Sequence, residues 1–310
     1  MSKTALLFPG QASQYVGMAK DLYDNSEDVR KMYRMASDVM GVDIAKLSFE
    51  GPAEELKRTR FTQPGILLHS LAVLTILGDR LPDFDYAAGH SLGEYGALAV
   101  TGALSYEDAV KAVVRRAELM EEACQKNPGT MAATMGLSVE QVSQVCESAS
   151  AAGVVVPANF NSNAQTVVSG SIVGVEKAVE LAKEQGAKRA MLLEVGGAFH
   201  SPLMEPARDG LEEYLEKIVV REPARPVVAN VTADAVGAAM DIKGLLVSQV
   251  TSPVRWAQTM TFLRDNGVTK IIEIGPGKVL TGLAKREMRP EQSFNLDTLK
   301  DINAFASASV

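Results

Sequence analysis

The segment Tyr86-Ala87-Ala88-Gly89-His90-Ser91-Leu92-Gly93 constrains this chain more than any other stretch of it. A short apolar run, Tyr86 to Ala88, feeds a serine flanked by glycines, and a helix-forming run, Glu94 to Val100, follows at once. The pattern is G-x-S-x-G, which sets a serine on a tight strand-to-helix turn. Glycines are needed there because the turn takes backbone angles and close approaches that a Cβ would obstruct. Such a turn lifts the hydroxyl out of a sheet at the positive end of a helix, where backbone N–H groups can hold an oxyanion. Ser91 is therefore the candidate nucleophile; the alternative is a glycine-rich turn with a structural serine.

The rest of the chain is organised around that unit. Ala5 to Phe8 reads as a buried strand ending in a small-residue loop, and helical periodicity runs from about Met18 to Leu81. Ser105-Tyr106-Glu107-Asp108 opens another helix, which continues to about Cys124. Strands alternating with helices imply a parallel α/β sheet. From about Gly129 the pattern changes. Met131–Leu137, Val154–Val156, Gln165–Val168 and Ala190–Val195 read as strands, with helices from Ser138 to Ser150 and from Val173 to Gln185. The order β-α-β-β-α-β is ferredoxin-like. The expected division is a large α/β domain over 1–127 and 196–310, with a small ferredoxin-like domain inserted over 128–195. The large domain resumes at Gly196-Gly197 and includes a strand over Lys270–Ile274; the polar C-terminal stretch is expected to be a frayed tail.

Bulk properties narrow the function classes. The net charge of -7 argues against nucleic acid as partner and supplies no polybasic membrane anchor. The N-terminal apolar run breaks at Pro9-Gly10, so no signal peptide is expected, and no run approaches the ~20 apolar residues of a membrane span. Cys124 and Cys146 form no metal-spaced motif and are expected as buried thiols in a reducing cytoplasm. Only three histidines occur, which nearly excludes a His-rich metal site. No surplus apolar helix stripe is evident, so a monomer is expected.

A serine nucleophile needs a general base. His90 is next in sequence, but the turn points the two side chains apart and leaves it a supporting role. His69 lies in the apolar run Ile66–Leu71 and reads as a core or helix-face histidine. His200 follows a strand and a glycine pair, where α/β architectures place catalytic loops, and it comes after the serine in chain order. It is the candidate base. No acidic residue is marked as a triad member, and a backbone carbonyl orients an imidazole equally well.

Arg115 and Arg116 separate by periodicity. Arg116 falls on the stripe of Ala109, Ala112, Val113, Met120 and Ala123, while Arg115 shares the other face with Asp108, Lys111 and Glu122. An inward guanidinium needs an anion, and an internal carboxylate and a substrate carboxylate fit equally. The loop Gly275-Pro276-Gly277-Lys278 fails both the Walker A and the G-x-G-x-x-G patterns, which leaves a structural strand-to-helix turn.

Taken together, Phe8-Pro9-Gly10-Gln11-Ala12-Ser13-Gln14, Gly89 to Tyr95, Ala198-Phe199-His200-Ser201 and Ser252-Pro253-Val254-Arg255-Trp256 resemble the motifs of malonyl-CoA:acyl carrier protein transacylases. These are the acyltransferases of bacterial fatty acid synthesis, akin to the acyltransferase domains of polyketide synthases. The resemblance runs from about Thr4 to Arg286 and implies an α/β-hydrolase-like domain with a ferredoxin-like insertion. It implies Ser91 as nucleophile, His200 as base, and Gln11 with the Leu92 N–H as oxyanion hole. Arg116 would grip the malonyl carboxylate, and the Gln249 backbone carbonyl would orient the histidine. Phe199 resembles the bulky residue of malonyl-selective members, although Gly197 replaces the first histidine of the His-Ala-Phe-His signature of the polyketide enzymes. Malonyl-CoA and holo acyl carrier protein are the implied partners, with no resident cofactor or metal. A basic patch is the expected docking site for an acidic carrier, with Lys183, Lys188, Arg189, Lys285 and Arg286 as candidates. A serine thioesterase or esterase, a polyketide acyltransferase and a non-catalytic carrier-binding scaffold are the competing readings.

Overall fold

Among residues 2–308, which the computed structural model describes, ten strands form two sheets. They are β1 (Lys3–Phe8), β2 (Tyr86–Gly89), β3 (Gly129–Met135), β4 (Val155–Ser162), β5 (Gln165–Ser171), β6 (Arg189–Leu192), β7 (Val227–Val228), β8 (Ala235–Val236), β9 (Val268–Ile274) and β10 (Gln292–Leu296). The larger sheet has the order β10-β9-β1-β2-β7-β8 and is parallel except for the β7–β8 pair. The smaller is antiparallel, in the order β4-β5-β3-β6.

Burial explains the central strand. Ala5, Leu6, Leu7 and Phe8 are all fully buried, the continuous apolar run of a parallel strand covered on both faces. Side chains alternate across it. Leu6 and Phe8 join the main core with the helices Thr59–Leu77 and Tyr106–Lys126, whereas Ala5 and Leu7 pack with Trp256, Met260 and Ile271 on the opposite face.

The small sheet follows the expected order, with Val139–Ala149 between β3 and β4 and Ile172–Glu184 between β5 and β6. Ser138 closes a full capping box with Gln141. Ala132, Val155 and Val168 face these two helices, while Met131, Ala133 and Val167 merge with the main core. The last strand is shorter than the sequence indicates, ending at Leu192, although the Leu193 N–H still donates to Met131 O at 2.9 Å.

Two expectations are corrected. The C-terminal stretch is not a frayed tail: β10 pairs in parallel with β9, and the helix Leu299–Ala308 buries Ile302 and Phe305. Its polar composition reflects an edge strand and a helix with one covered face; residues 309 and 310 lie outside the described residues. One segment, Thr59–Arg80, does reach the length and hydropathy of a membrane span, but 83% of its most apolar window is buried inside the protein. It is the central helix of the main core.

Candidate active site

The turn after β2 is built as the sequence requires. A Cβ at Gly89 would lie 1.9 Å from the Gly93 carbonyl carbon, and one at Gly93 would lie 2.1 Å from Phe8 O. Helix Gly93–Val100 therefore sits directly on the sheet, at a distance only glycine permits. Ser91 itself takes a left-handed φ of 52°, the strained conformation of a nucleophile turn. Asn230, just after β7, holds that turn: its Oδ1 accepts from Ser91 N–H at 2.7 Å and its Nδ2 donates to Gly89 O at 2.6 Å.

His200 meets the serine from the other side. Ser91 Oγ and His200 Nε2 are 2.9 Å apart, and His200 Nδ1 lies 2.8 Å from Gln249 O. A carbonyl only accepts, so Nδ1 carries the proton and Nε2 offers its lone pair to the hydroxyl. Burial, together with the adjacent Arg116 charge, holds the imidazole down to about 3, so the resting ring is neutral. A hydroxyl so placed can pass its proton to the ring without an acidic third residue.

Arg116 is 1% exposed and converges on the same point. Its Nη2 donates to Ser91 Oγ at 3.0 Å and to Gln249 Oε1 at 2.9 Å, and its Nη1 donates to Gln63 Oε1 at 2.5 Å. Nε is buried with no partner among the described residues. No carboxylate pairs with this guanidinium among the described residues, whereas Arg115 pairs with Glu118 on the outer face. The site thus offers a buried cation beside the serine hydroxyl, with donor capacity to spare.

The remaining candidates are brought to the same place to different degrees. Leu92 caps helix Gly93–Val100, and its N–H has no protein acceptor among the described residues. Gln11 Oε1 accepts from Gln63 Nε2 at 3.1 Å, which ties the loop after β1 to the Arg116 cluster. Gln249 contributes more than its carbonyl: its Nε2 donates to Ser91 O at 3.0 Å and to Glu94 Oε2 at 2.9 Å. Phe199 is buried in the main core beside the histidine. A Cβ at Gly197 would lie 2.0 Å from Cys124 Sγ, so a histidine has no room there.

His90 points away, as expected. Its Nε2 bonds to Asn161 Oδ1 at 2.9 Å, and its ring lies against Trp256 at 5.5 Å. His69 is a core histidine bonded to Asp297 O at 2.7 Å. Cys124 and Cys146 are free thiols pushed up to about 12 by burial. In the Gly275–Lys278 loop the helix N-terminus is already occupied: the Glu273 carboxylate accepts from Leu280 N–H at 3.0 Å and Thr281 N–H at 2.7 Å. That leaves no seat for a phosphate. Among the described residues no cluster suited to a metal ion occurs.

Four site residues escape the sequence reading: Asn230, Glu94, Gln63 and Asn161. Only Glu94 carries a signal, as the lone charge in an otherwise apolar helix. The backbone of the Ser252–Trp256 motif ties neighbouring elements together. Val254 N–H donates to Ala158 O, Phe160 N–H to Val254 O and Arg255 N–H to Asn230 O, which joins β4 to the nucleophile turn. A cleft of about 310 Å³ opens from His200 between β4 and this segment, lined by Pro157, Phe160, Arg255 and Gln258 among others.

Comparison with known proteins identifies the family. The family described as acyl transferase domain matches residues 5–300. The malonyl CoA-acyl carrier protein transacylase of Bacillus subtilis (strain 168) is 46% identical over 290 residues, covering 93% of this chain and 92% of that protein. The crystal structure of an acyl carrier protein S-malonyltransferase from Vibrio cholerae superposes with a TM-score of 0.93 at 40% identity, over 98% of this chain and 100% of that one. A type II PKS acyl-carrier protein in complex with its malonyl-transacylase gives 0.94 at 38% identity, over 99% and 100% of the two chains. A strained serine on a buried guanidinium, held in a fold shared along nearly its whole length with these enzymes, places the chain in the malonyl-CoA:acyl carrier protein transacylase family of acyltransferases.

Proposed function

We propose that this enzyme moves the malonyl group from malonyl-CoA to the phosphopantetheine thiol of holo acyl carrier protein, by way of a malonyl ester on Ser91. The single observation that carries the reading is Arg116: a buried guanidinium 3.0 Å from the serine hydroxyl, with no carboxylate of its own among the described residues. A plain esterase has no use for it.

In the first half-reaction His200 takes the Ser91 proton as Oγ attacks the thioester carbonyl. Gln11 and the Leu92 N–H receive the oxyanion; each such donor is worth ~3 kcal/mol of transition-state stabilisation. The carbon–sulfur bond breaks and CoA leaves with the proton from His200. Arg116 holds the malonyl carboxylate bidentately and so fixes the ester against misplaced water. The carrier thiol then attacks the ester in the reverse sequence, which makes the kinetics ping-pong. No metal or resident cofactor enters either half. Phe199 closes the acyl site beside the histidine, and its bulk favours malonyl over branched groups.

The fold reading that accompanies this is an α/β-hydrolase-like domain over 1–127 and 196–310, with a ferredoxin-like domain over 128–195. It is supported by the β-α-β-β-α-β order of the small antiparallel sheet. The two unpaired thiols accord with a cytoplasmic enzyme. A polyketide carrier is the second reading, favoured by the likeness to a transacylase bound to a type II PKS carrier.

Intact mass spectrometry tests the function. Brief exposure to malonyl-CoA should add one malonyl group to wild type and none to Ser91→Ala, and holo carrier protein should discharge it. Free malonate accumulating without an adduct would make the protein a hydrolase.

A further inference from the structure

Glu94 is 3% exposed and is the one charged side chain of helix Gly93–Val100. Its Oε2 accepts from Asn230 N–H at 3.0 Å and from Gln249 Nε2 at 2.9 Å. Beside it lies a cavity of about 10 Å³ walled by Val227, Val236, Ile242 and other apolar side chains. No cation touches the carboxylate among the described residues. Arg116 stands one carboxamide away, because Gln249 Oε1 accepts from its Nη2 at 2.9 Å. A buried anion and a buried cation therefore share a single amide, oriented favourably towards both.

We propose that Glu94 is the resident counter-charge of Arg116, coupled to it through Gln249, and that an incoming acyl carboxylate competes with it for that charge. Glu94 thereby sets how tightly the enzyme holds carboxylated acyl groups. The inference rests on the malonyl reading given above. In the empty site the Coulomb attraction of Glu94 offsets part of the cost of burying Arg116. A malonyl carboxylate neutralises Arg116 at contact distance and leaves Glu94 against its apolar wall, where it takes a proton from solvent. Burial already pushes Glu94 up to about 7 while Arg116 pulls it down, so losing that pull matters near neutral pH. Arg116 from helix Tyr106–Lys126 and Tyr95 on its own helix are the titratable groups bearing on it. The elements packed on its other sides present Gln249, Asn230 and apolar residues. Coupling of this kind is reciprocal: the Glu94 charge weakens the hold on malonate as much as malonate raises the proton affinity of Glu94.

Acylation itself is proton-neutral at a pH of about 7, since a thiol of pKa ~8.5 leaves protonated with the serine proton. Proton uptake on acylation therefore reports Glu94. The experiment mixes wild-type enzyme with malonyl-CoA in weak buffer containing an indicator dye, and counts adducts by intact mass. A fractional proton taken up per malonyl adduct is expected, with none for acetyl-CoA and none for Glu94→Gln. In Glu94→Gln the KM for malonyl-CoA should fall about three- to tenfold relative to that for acetyl-CoA. A malonyl adduct without proton uptake, or a malonyl KM in Glu94→Gln that is unchanged or raised relative to that for acetyl-CoA, overturns the role of Glu94 alone. Absence of any malonyl adduct overturns the functional reading as well. The wild-type measurement stands even if the variant does not fold.

Discussion

The Arg116 guanidinium donates to Ser91 Oγ at 3.0 Å, on the same oxygen that meets His200 Nε2 at 2.9 Å. The cation thus sits on the proposed nucleophile itself. Arg116→Ala should lower kcat/KM for malonyl-CoA by about 10² to 10³-fold, the range for truncating one partner of a buried charge pair. Transfer of acetyl should persist or rise. Arg116→Lys should not restore malonyl transfer, because an ammonium cannot reach Gln63, Gln249 and a substrate carboxylate with one fork. Steady-state rates with the two donors check this.

The neutral imidazole has a kinetic signature. With His200 held down to about 3, kcat/KM for malonyl-CoA should not fall as the pH drops through the ordinary histidine value of 6.5. Protonating Glu94 over the same range strengthens malonate binding rather than weakening it. Single-turnover acylation followed across that range decides the matter, and an acid limb centred near 6.5 would contradict it.

Glu94 also ties stability to pH. Its folded-state value of about 7 lies above the ordinary 4.5, so the folded protein binds the extra proton between those values. That contribution is complete below 4.5 and is lost as the pH rises through about 7; for a fully buried group it amounts to up to about 3 kcal/mol. Glu94→Gln has no such proton to lose. Urea unfolding of both proteins at several pH values should show wild type losing stability relative to the variant over this window. His200 titrates in both and cancels from the difference.

Gly197 is sterically committed. Gly197→Ala sets a methyl group against Cys124 Sγ and should cost about 1–3 kcal/mol of stability, the usual range for overpacking. Adding Cys124→Ala removes the sulfur and should recover part of the loss, as read from denaturant midpoints.

Lys188 and Arg189 are exposed and unpaired in the salt-bridge network of the described residues, which suits a surface meeting an acidic carrier. Reversing both charges should raise the KM for carrier protein and leave that for malonyl-CoA unchanged. An unaltered carrier KM removes this patch from consideration.

What could be read from the chain divides along a physical line. Ser91 was legible because its turn is local: the glycines that permit it stand within two residues of it. His200 was legible by elimination among three histidines, and the inward position of Arg116 by helical period. Asn230 was not, since Ala229-Asn230-Val231 has no pattern and its two bonds to the turn exist only after β7 pairs with β2. Gln63 was hidden for the same reason, inside a helix whose every face is apolar or buried. The C-terminal strand was masked by its half-exposed edge position, where polar side chains such as Asn295 bond to the buried Glu273 instead of facing water.

The position of β1 bears on how the protein is made. It comes first in chain order among the described strands, yet it lies inside the sheet, with β2 on one side and β9 on the other. Lys3 finds its neighbour Val268 only after all the intervening strands and helices have been translated. At ~5–20 residues per second the strand waits tens of seconds with one hydrogen-bonding edge open and its Ala5 and Leu7 face without Trp256, Met260 and Ile271 to cover it. The sheet that carries the Ser91 turn therefore closes only once β9 has been made, which makes the pairing of β1 with β9 one of the least local steps in forming the fold.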